Sequence, residues 1–406
     1  MNTLTALPEH EDRQEIVGWV ARHLGHLALE GSDGVRAASL RGGQAAADAA
    51  LAALDVDGYS RNRSTVLPVG RRGATKMSPY VRHGLVSLPQ LWAAVAGAPH
   101  RDRDRYRDEL LWQEYARHLY ARTGSRLGEP LRHSPSRADV VAADPWSTQM
   151  ACVSKTHDEL VDEGWLVNQT RMWMASHWTV RHGRDWREGE DEFFRHLLDG
   201  SRAANRLGWQ WTVGAGTGRP YGFSRWQVQK RAPGLCASCP LRTHCPIEDW
   251  PDSTPGPRVE GPDLGAGPTP AGPPEPERSG APDTVWITAE SLGDDDPALV
   301  ANPGLPAVFV FDQPLLAKLR LSGKRLVFLA ETLADLAGRR PVEVRLGVVS
   351  DELAGRALAT TYAPVPGWAR IARRVDLVES HPWPWLVRPA NAPLASFSAW
   401  RRKVGR

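Results

Sequence analysis

The sequence predicts two folded parts of different class. An all-α domain is expected over residues 1–250, and a small α/β parallel-sheet domain of Rossmann-like type over residues 284–406. Three observations carry this expectation. Apolar residues before position 250 recur at helical spacing, β-rich runs alternate with helix-like runs after position 284, and the stretch between them is dense in Pro and Gly.

In the first part, DELLWQEYARHLYAR places Leu111, Tyr115 and Leu119 on one helical stripe, with Glu109, Trp112, Gln113 and Ala116 on another face. WLVNQTRMWMASHWTVRHG and DEFFRHLLDGSRAANRLG read as further helices, and Ser78–Tyr80 reads as a loop feeding one. Residues 251–283 lack the large apolar side chains of a core and read as an extended linker. Beyond it, Thr284–Thr288, Ala307–Phe311, Val342–Leu346 and Val375–Val378 read as strands, and LVFLAETLADLAG reads as a helix between two of them.

At 406 residues, with 41% hydrophobic and 24% charged content, the chain is long enough for two or three cores. It has no apolar run of ~18 residues and so no transmembrane helix. Its acidic N-terminus lacks the apolar stretch of a secretory signal, so a cytoplasmic monomer away from membranes is the expectation. The net charge of +3 does not by itself imply nucleic acid. The excess of 44 Arg over 6 Lys fits either biased codon usage or bidentate phosphate contacts. Of 17 Trp, 11 lie between Trp92 and Trp250, an enrichment consistent with core packing, stacking on a flat ligand or electron hopping.

The chain has four cysteines. Cys236, Cys239 and Cys245 form a C-x2-C-x5-C run punctuated by Pro240 and Pro246, and Cys152 lies upstream. Three local thiols and one distant one complete a four-thiolate set, for which a [4Fe–4S] cluster, a structural zinc or disulfides are the options. A reducing cytoplasm disfavours disulfides, whereas spacing does not separate zinc from iron–sulfur.

Several blocks, in order, resemble the flavin-binding domain of the DNA photolyase/cryptochrome superfamily. They are Tyr59–Arg63, Gly73–Gly84, Glu109–His118, Gly164–Met172, Asp185–Glu190 and Asp199–Gly216. The resemblance implies an all-α FAD-binding photolyase-type domain. The cysteine set resembles that of the iron–sulfur bacterial photolyases, which implies a [4Fe–4S] cluster on Cys152, Cys236, Cys239 and Cys245. In the family an α/β antenna domain comes first. Here VWITAESLGDDDPALV, Val285–Val300, resembles the opening of that domain and SFSAWRRK its end, which implies a circular permutation.

The resemblance implies roles position by position. Tyr59, Thr75, Met77 and Ser78 match the loop around the flavin diphosphate, where hydroxyls and a helix start suit phosphate oxygens. Arg171 and Asp199 match a pair beside the flavin ring, and Asn205 matches the residue facing flavin N5. Glu109, Trp112, Asn168 and Trp211 match the pocket for a cyclobutane pyrimidine dimer, with Arg63 near the lesion phosphate. Trp186 and Trp209 match two carriers of the photoreduction chain; the outer carrier is not at its usual offset, and Trp146 or Trp178 is the available substitute. Ser201 stands where a carboxylate is usual, Ala74 where a hydroxyl is common, and Gln169 where an Arg often contacts DNA.

The function implied is light-driven repair of dimers in UV-damaged DNA by reduced FAD. The alternatives are a cryptochrome-like blue-light photoreceptor without repair and a flavin-free DNA-binding metalloprotein. A second antenna chromophore, of a type the sequence leaves open, is also part of the expectation.

Overall fold

A computed structural model describes residues 3–139, 145–146, 149–251 and 255–405; positions 252–254 of the expected linker lie outside the described residues. The chain divides into two compact units, and the division does not follow chain order. One unit combines Met1–Leu54, Met77–Ala94 and Pro268–Asn391, and the other Asp55–Lys76, Val95–Gly267 and Ala392–Arg406. This corrects the sequential 1–250, 251–283 and 284–406 boundaries. Helical periodicity reports that a segment is helical but not whose surface its apolar stripe covers.

The first unit is built on a six-stranded sheet: β1 Glu277–Arg278, β2 Thr284–Ile287, β3 Ala307–Asp312, β4 Val342–Gly347, β5 Leu358–Thr361 and β6 Leu377–His381. The order is β1-β6-β5-β2-β3-β4, parallel throughout except for β1 against β6, so the winding reverses at β2. Three expected strands are found in place, and the fourth lies two residues later than expected. β5 lies outside the expected strands, because LATT carries a single large apolar residue, Leu358, and is too short to show a period.

The N-terminal residues belong to this unit. Leu4 N donates to Val344 O at 3.0 Å and Thr3 bridges Arg345, covering the edge strand β4. Helix Gly323–Ala337 is buried from Gly323 to Leu336, polar positions included. Glu331 receives Arg13 Nε at 2.6 Å and Gly42 N at 2.8 Å. Thr332 and Asp335 accept from Gly43 N and Gln44 N, closing the start of helix Gln44–Ala52. Gly42 is required there, because a Cβ would lie 2.2 Å from Phe328 O. The other face of the sheet carries Trp286 stacked on Trp368, with rings 6.4 Å apart and nearly parallel, beside Tyr362 and Trp383.

Asp296 caps helix Pro297–Ala301, accepting from Ala298 N, Leu299 N and Thr361 Oγ1. Burial pushes its carboxyl up to about 6, against the pull of those hydrogen bonds. The folded-state value exceeds the free value of 3.8. The group's contribution to stability is therefore full below that value, declines as the pH rises through 6, and stays at its floor above it. Asp296→Asn keeps the acceptor and removes the buried charge. The variant is expected to match the parent near pH 4 and to exceed it by roughly 1–2 kcal/mol at pH 7.5. Thermal melts at the two pH values check this; a variant less stable at the higher pH contradicts it.

The second unit is helical: His100–Thr123, Ala151–Glu163, Asn168–Ala175, Trp186–His196, Arg202–Thr212, Arg225–Arg231 and Phe397–Val404. Asn168–Ala175 runs on into a π turn, Ser176–Arg181. Asp185 caps Trp186–His196 through Arg187 N, with Glu188 in the first turn and Arg195 and His196 in the last, as the helix dipole favours. The interior is aromatic, with Trp173, Trp178, Trp186, Phe193, Trp209 and Phe223 in one cluster.

The described part of the Pro/Gly stretch is tied within each unit by backbone and side-chain hydrogen bonds. Ser134 N donates to Pro257 O and Val259 N to Arg132 O. Gly256 and Gly261 permit this approach, since a Cβ on either would fall within 2.3 Å of a carbonyl oxygen of 131 or 134. Within the sheet unit, Trp385 Nε1 donates to Ala271 O and β1 pairs with β6. Composition marks low core-forming power, but backbone groups can still pair. Among the described residues no helix is long and apolar enough to cross a membrane.

Candidate functional site

In the helical unit, Asp102 anchors the loop of Tyr59 by accepting from Gly58 N at 3.1 Å and Ser60 N at 2.7 Å. The Ser60 contacts hold its carboxyl below the usual range. Tyr59 packs edge-on to Tyr106 at 5.1 Å, and Tyr106 Oη lies 3.4 Å from Thr75 Oγ1, so Tyr59 and Thr75 converge. Gly73 lets the two loops touch, with a notional Cβ 2.9 Å from Asn62 Cβ. Lys76 follows with φ of 56°, in the left-handed region, its Nζ 5.4 Å over the Trp165 ring. Met77 and Ser78 fall in the other unit, at the start of the short helix Ser78–Arg82, where Met77 is buried.

Arg171 and Asp199 form the expected pair, Nη2 to Oδ2 at 2.8 Å, and Arg171 Nε donates to Leu166 O. Asp199 Oδ1 is buried with no hydrogen-bond partner among the described residues. Asn205 is buried, and its Nδ2 donates to Glu190 O at 3.1 Å and Glu190 Oε1 at 2.9 Å. Its Oδ1 makes no hydrogen bond among the described residues. Burial pushes Glu190 up, partly offset by Arg202 and Arg206, so a single carboxyl organises two guanidiniums and the amide.

Residues 106–231 match the family model described as the FAD binding domain of DNA photolyase. That match, over less than half of the chain, ties this segment to the photolyase/cryptochrome superfamily. It is 29% identical over 170 residues to the deoxyribodipyrimidine photo-lyase of Synechococcus, covering 36% of this chain and 33% of that one. It is 32% identical over 170 residues to the Vibrio cholerae enzyme of the same name, covering 37% and 35%. The chain thus spans about a third of the length of these curated relatives. A bacterial class III photolyase structure from Agrobacterium tumefaciens aligns at 26% identity with a TM-score of 0.39, over 47% of this chain and 42% of that one.

The four dimer-pocket candidates all reach the surface of the helical unit. Trp211 is 39% exposed beside Tyr221, Asn168 is exposed at the first turn of its helix, and Trp112 is half-buried. Glu109 is held by Arg63 at 2.8 Å and Arg105 at 3.4 Å. No hydrogen bond joins the four among the described residues. Trp112 has a neighbour the sequence did not indicate: Phe397 of the C-terminal helix meets it edge-on at 5.2 Å. Gln169 is buried and donates to Tyr221 Oη at 2.6 Å, so it orders the wall under Trp211 rather than the surface.

The tryptophan chain differs from expectation. Trp209 lies against Gly189, where a Cβ would fall 2.3 Å from its ring, and Trp178 borders the same glycine at 3.0 Å. Trp178 continues to Trp146 at 4.7 Å and Trp146 to His157 at 5.7 Å. Trp186 is buried but makes no ring contact among the described residues. The signal was available: Gly189, flanked by carboxylates in an otherwise amphipathic helix, marks a close approach.

All four cysteines line one cavity with Met150, Val228, Leu241, Pro246 and Ile247. Cys152 begins helix Ala151–Glu163, and consecutive turns carry the others, with Arg242 N donating to Cys239 O and Glu248 N to Cys245 O. Burial, and then the other three thiols, push Cys152 up to about 12. Arg181 of the π turn clamps the loop by donating to Pro246 O and Asp249 O. Among the described residues no three His, Cys, Asp or Glu side chains are placed to hold a single metal ion.

Proposed function

We propose that this chain repairs cyclobutane pyrimidine dimers in DNA in the light, using FAD bound in the helical unit. The observation that carries the reading is the Arg171–Asp199 ion pair, in which Asp199 keeps a second, buried oxygen without a partner among the described residues, near the start of the helix that carries Asn205. Asp199 Oδ1 is buried without a partner, and Asn205 Oδ1 is left over after Glu190 has taken the amide nitrogen. Carboxylate and amide oxygens fit the N–H edge of a reduced flavin, and Arg171 pairs with Asp199 beside it. FAD held there by Arg171, Asp199 and Asn205 would, when reduced and excited by blue or near-ultraviolet light, supply the electron for splitting the cyclobutane ring and regain it afterwards.

The chain's own residues bind and orient. Trp112 and Trp211 offer indole faces to a flipped base pair-step, each stack contributing roughly 1–3 kcal/mol. Glu109 and Asn168 offer hydrogen bonds to its polar edges, and Arg63 sits at the phosphate. Tyr59 and Thr75, which converge in the helical unit, are assigned to the flavin diphosphate. Trp209, Trp178 and Trp146 are read as the carriers for photoreduction, with Trp186 as packing. The α/β module is read as the family's antenna domain in permuted, Rossmann-like form, its second chromophore unassigned. Four thiols lining one cavity are the donor set that would hold a [4Fe–4S] cluster. Its place in the fold supports a structural role.

The test is illumination of the yellow, dithionite-reduced protein with a thymine-dimer oligonucleotide. Restored thymines support repair, and Trp211→Ala is expected to lower dimer affinity by about 5- to 150-fold. Photoreduction with no restored bases would assign the chain to the photoreceptor class, and a colourless preparation would remove the flavin altogether.

A further inference from the structure

The C-terminal helix Phe397–Val404 has two faces that the dimer-pocket reading leaves unused. Its apolar face is anchored on helix His100–Thr123: Trp400 is fully buried with Nε1 donating to His118 Nδ1 at 3.1 Å, and Phe397 packs on Trp112 and Tyr115. Arg401 ties the next turn to Asp108 at 2.8 Å. The last turn carries only cations, and Arg402 and Lys403 are exposed with no ion pair among the described residues. The helix therefore holds two unneutralised charges on a rigid mount, one turn beyond the ring that touches Trp112. On helix His100–Thr123 near Trp112, Glu109 is paired with Arg63 and Arg105 and Asp108 with Arg105 and Arg401, so the carboxylates there are already matched by cations and Arg402 and Lys403 are left over.

We infer that this helix is a docking surface for the phosphodiester backbone of duplex DNA, with Arg402 and Lys403 as its phosphate contacts. The inference rests on the reading that Trp112 faces the lesion. A fixed helix presenting side chains of one sign beside a base-stacking ring matches a polyanionic strand, in which phosphates recur along one direction and position the duplex without reading its sequence. Guanidinium and ammonium groups suit that role, and their contribution is carried by released counterions.

The experiment measures affinity of the full chain for a fluorescent duplex, with and without a thymine dimer, between 50 and 200 mM NaCl. Arg402→Gln/Lys403→Gln is expected to weaken binding to both duplexes by roughly tenfold. It should lower the slope of log affinity against log salt by about 1.8, leaving the dimer-to-undamaged ratio unchanged. An unchanged slope in a variant with parental circular dichroism and melting temperature overturns the inference. So does a loss of binding to anionic vesicles with DNA affinity intact. If the parent chain binds duplex DNA without preferring the dimer, the repair reading fails, while the slope on undamaged duplex still decides the role of the helix.

Discussion

Arg171→Ala is expected to destabilise the helical unit by about 3–5 kcal/mol and to yield protein that loses its flavin on purification. The magnitude follows from what remains: a carboxylate only 6% exposed, with one oxygen stripped of its guanidinium and the other already without a partner. Adding Asp199→Asn to the same chain removes the stranded charge and should recover most of the lost stability. It should not recover flavin retention, because the neutral amide no longer offers an ionised acceptor. Urea melts of the apoprotein separate the two effects. An Arg171→Ala protein that melts with the parent would mean that Asp199 finds water or another cation, and the pair would lose its place in the argument.

The second large effect is expected at Gly189. Gly189→Val should cost about 3 kcal/mol, since even its Cβ would lie 2.3 Å from the Trp209 ring and 3.0 Å from Trp178, and both indoles are more than nine-tenths buried. Neither ring can retreat, because Phe193 closes one side of Trp209 at 5.2 Å and Trp146 lies on Trp178 at 4.7 Å. The substitution should also shift tryptophan emission and slow flavin photoreduction. A Trp209→Phe partner mutation, which makes room, should restore stability but not photoreduction. Equilibrium unfolding followed by fluorescence checks the first part. A valine tolerated within about 0.5 kcal/mol would mean that the rings do not converge on this glycine.

These effects show how differently the parts of the site could be read in the sequence. Arg171, Asp199 and Asn205 lie in the blocks that carry the family resemblance, and the structure joins Arg171 to Asp199 while giving the Asn205 amide to Glu190. Trp178 and Trp146 could be named only as substitutes, because the distance between two rings on separate segments depends on how those segments pack. Phe397 could not be connected to Trp112 at all. The two residues are far apart in the chain, and nothing in either local pattern encodes their meeting.

Helix and strand periods, turn residues and the four-thiol inventory are local properties, so the chemical nature of each segment and most of its secondary structure follow from residue order alone. Partner choice is not local. The α/β unit takes in residues 1–54, helix Phe397–Val404 joins the helical unit, and the Pro/Gly stretch is strapped by backbone hydrogen bonds. Each of these depends on which apolar stripe or carbonyl lies opposite in space. An amphipathic pattern states that a surface must be buried, and only packing of the whole chain selects what buries it.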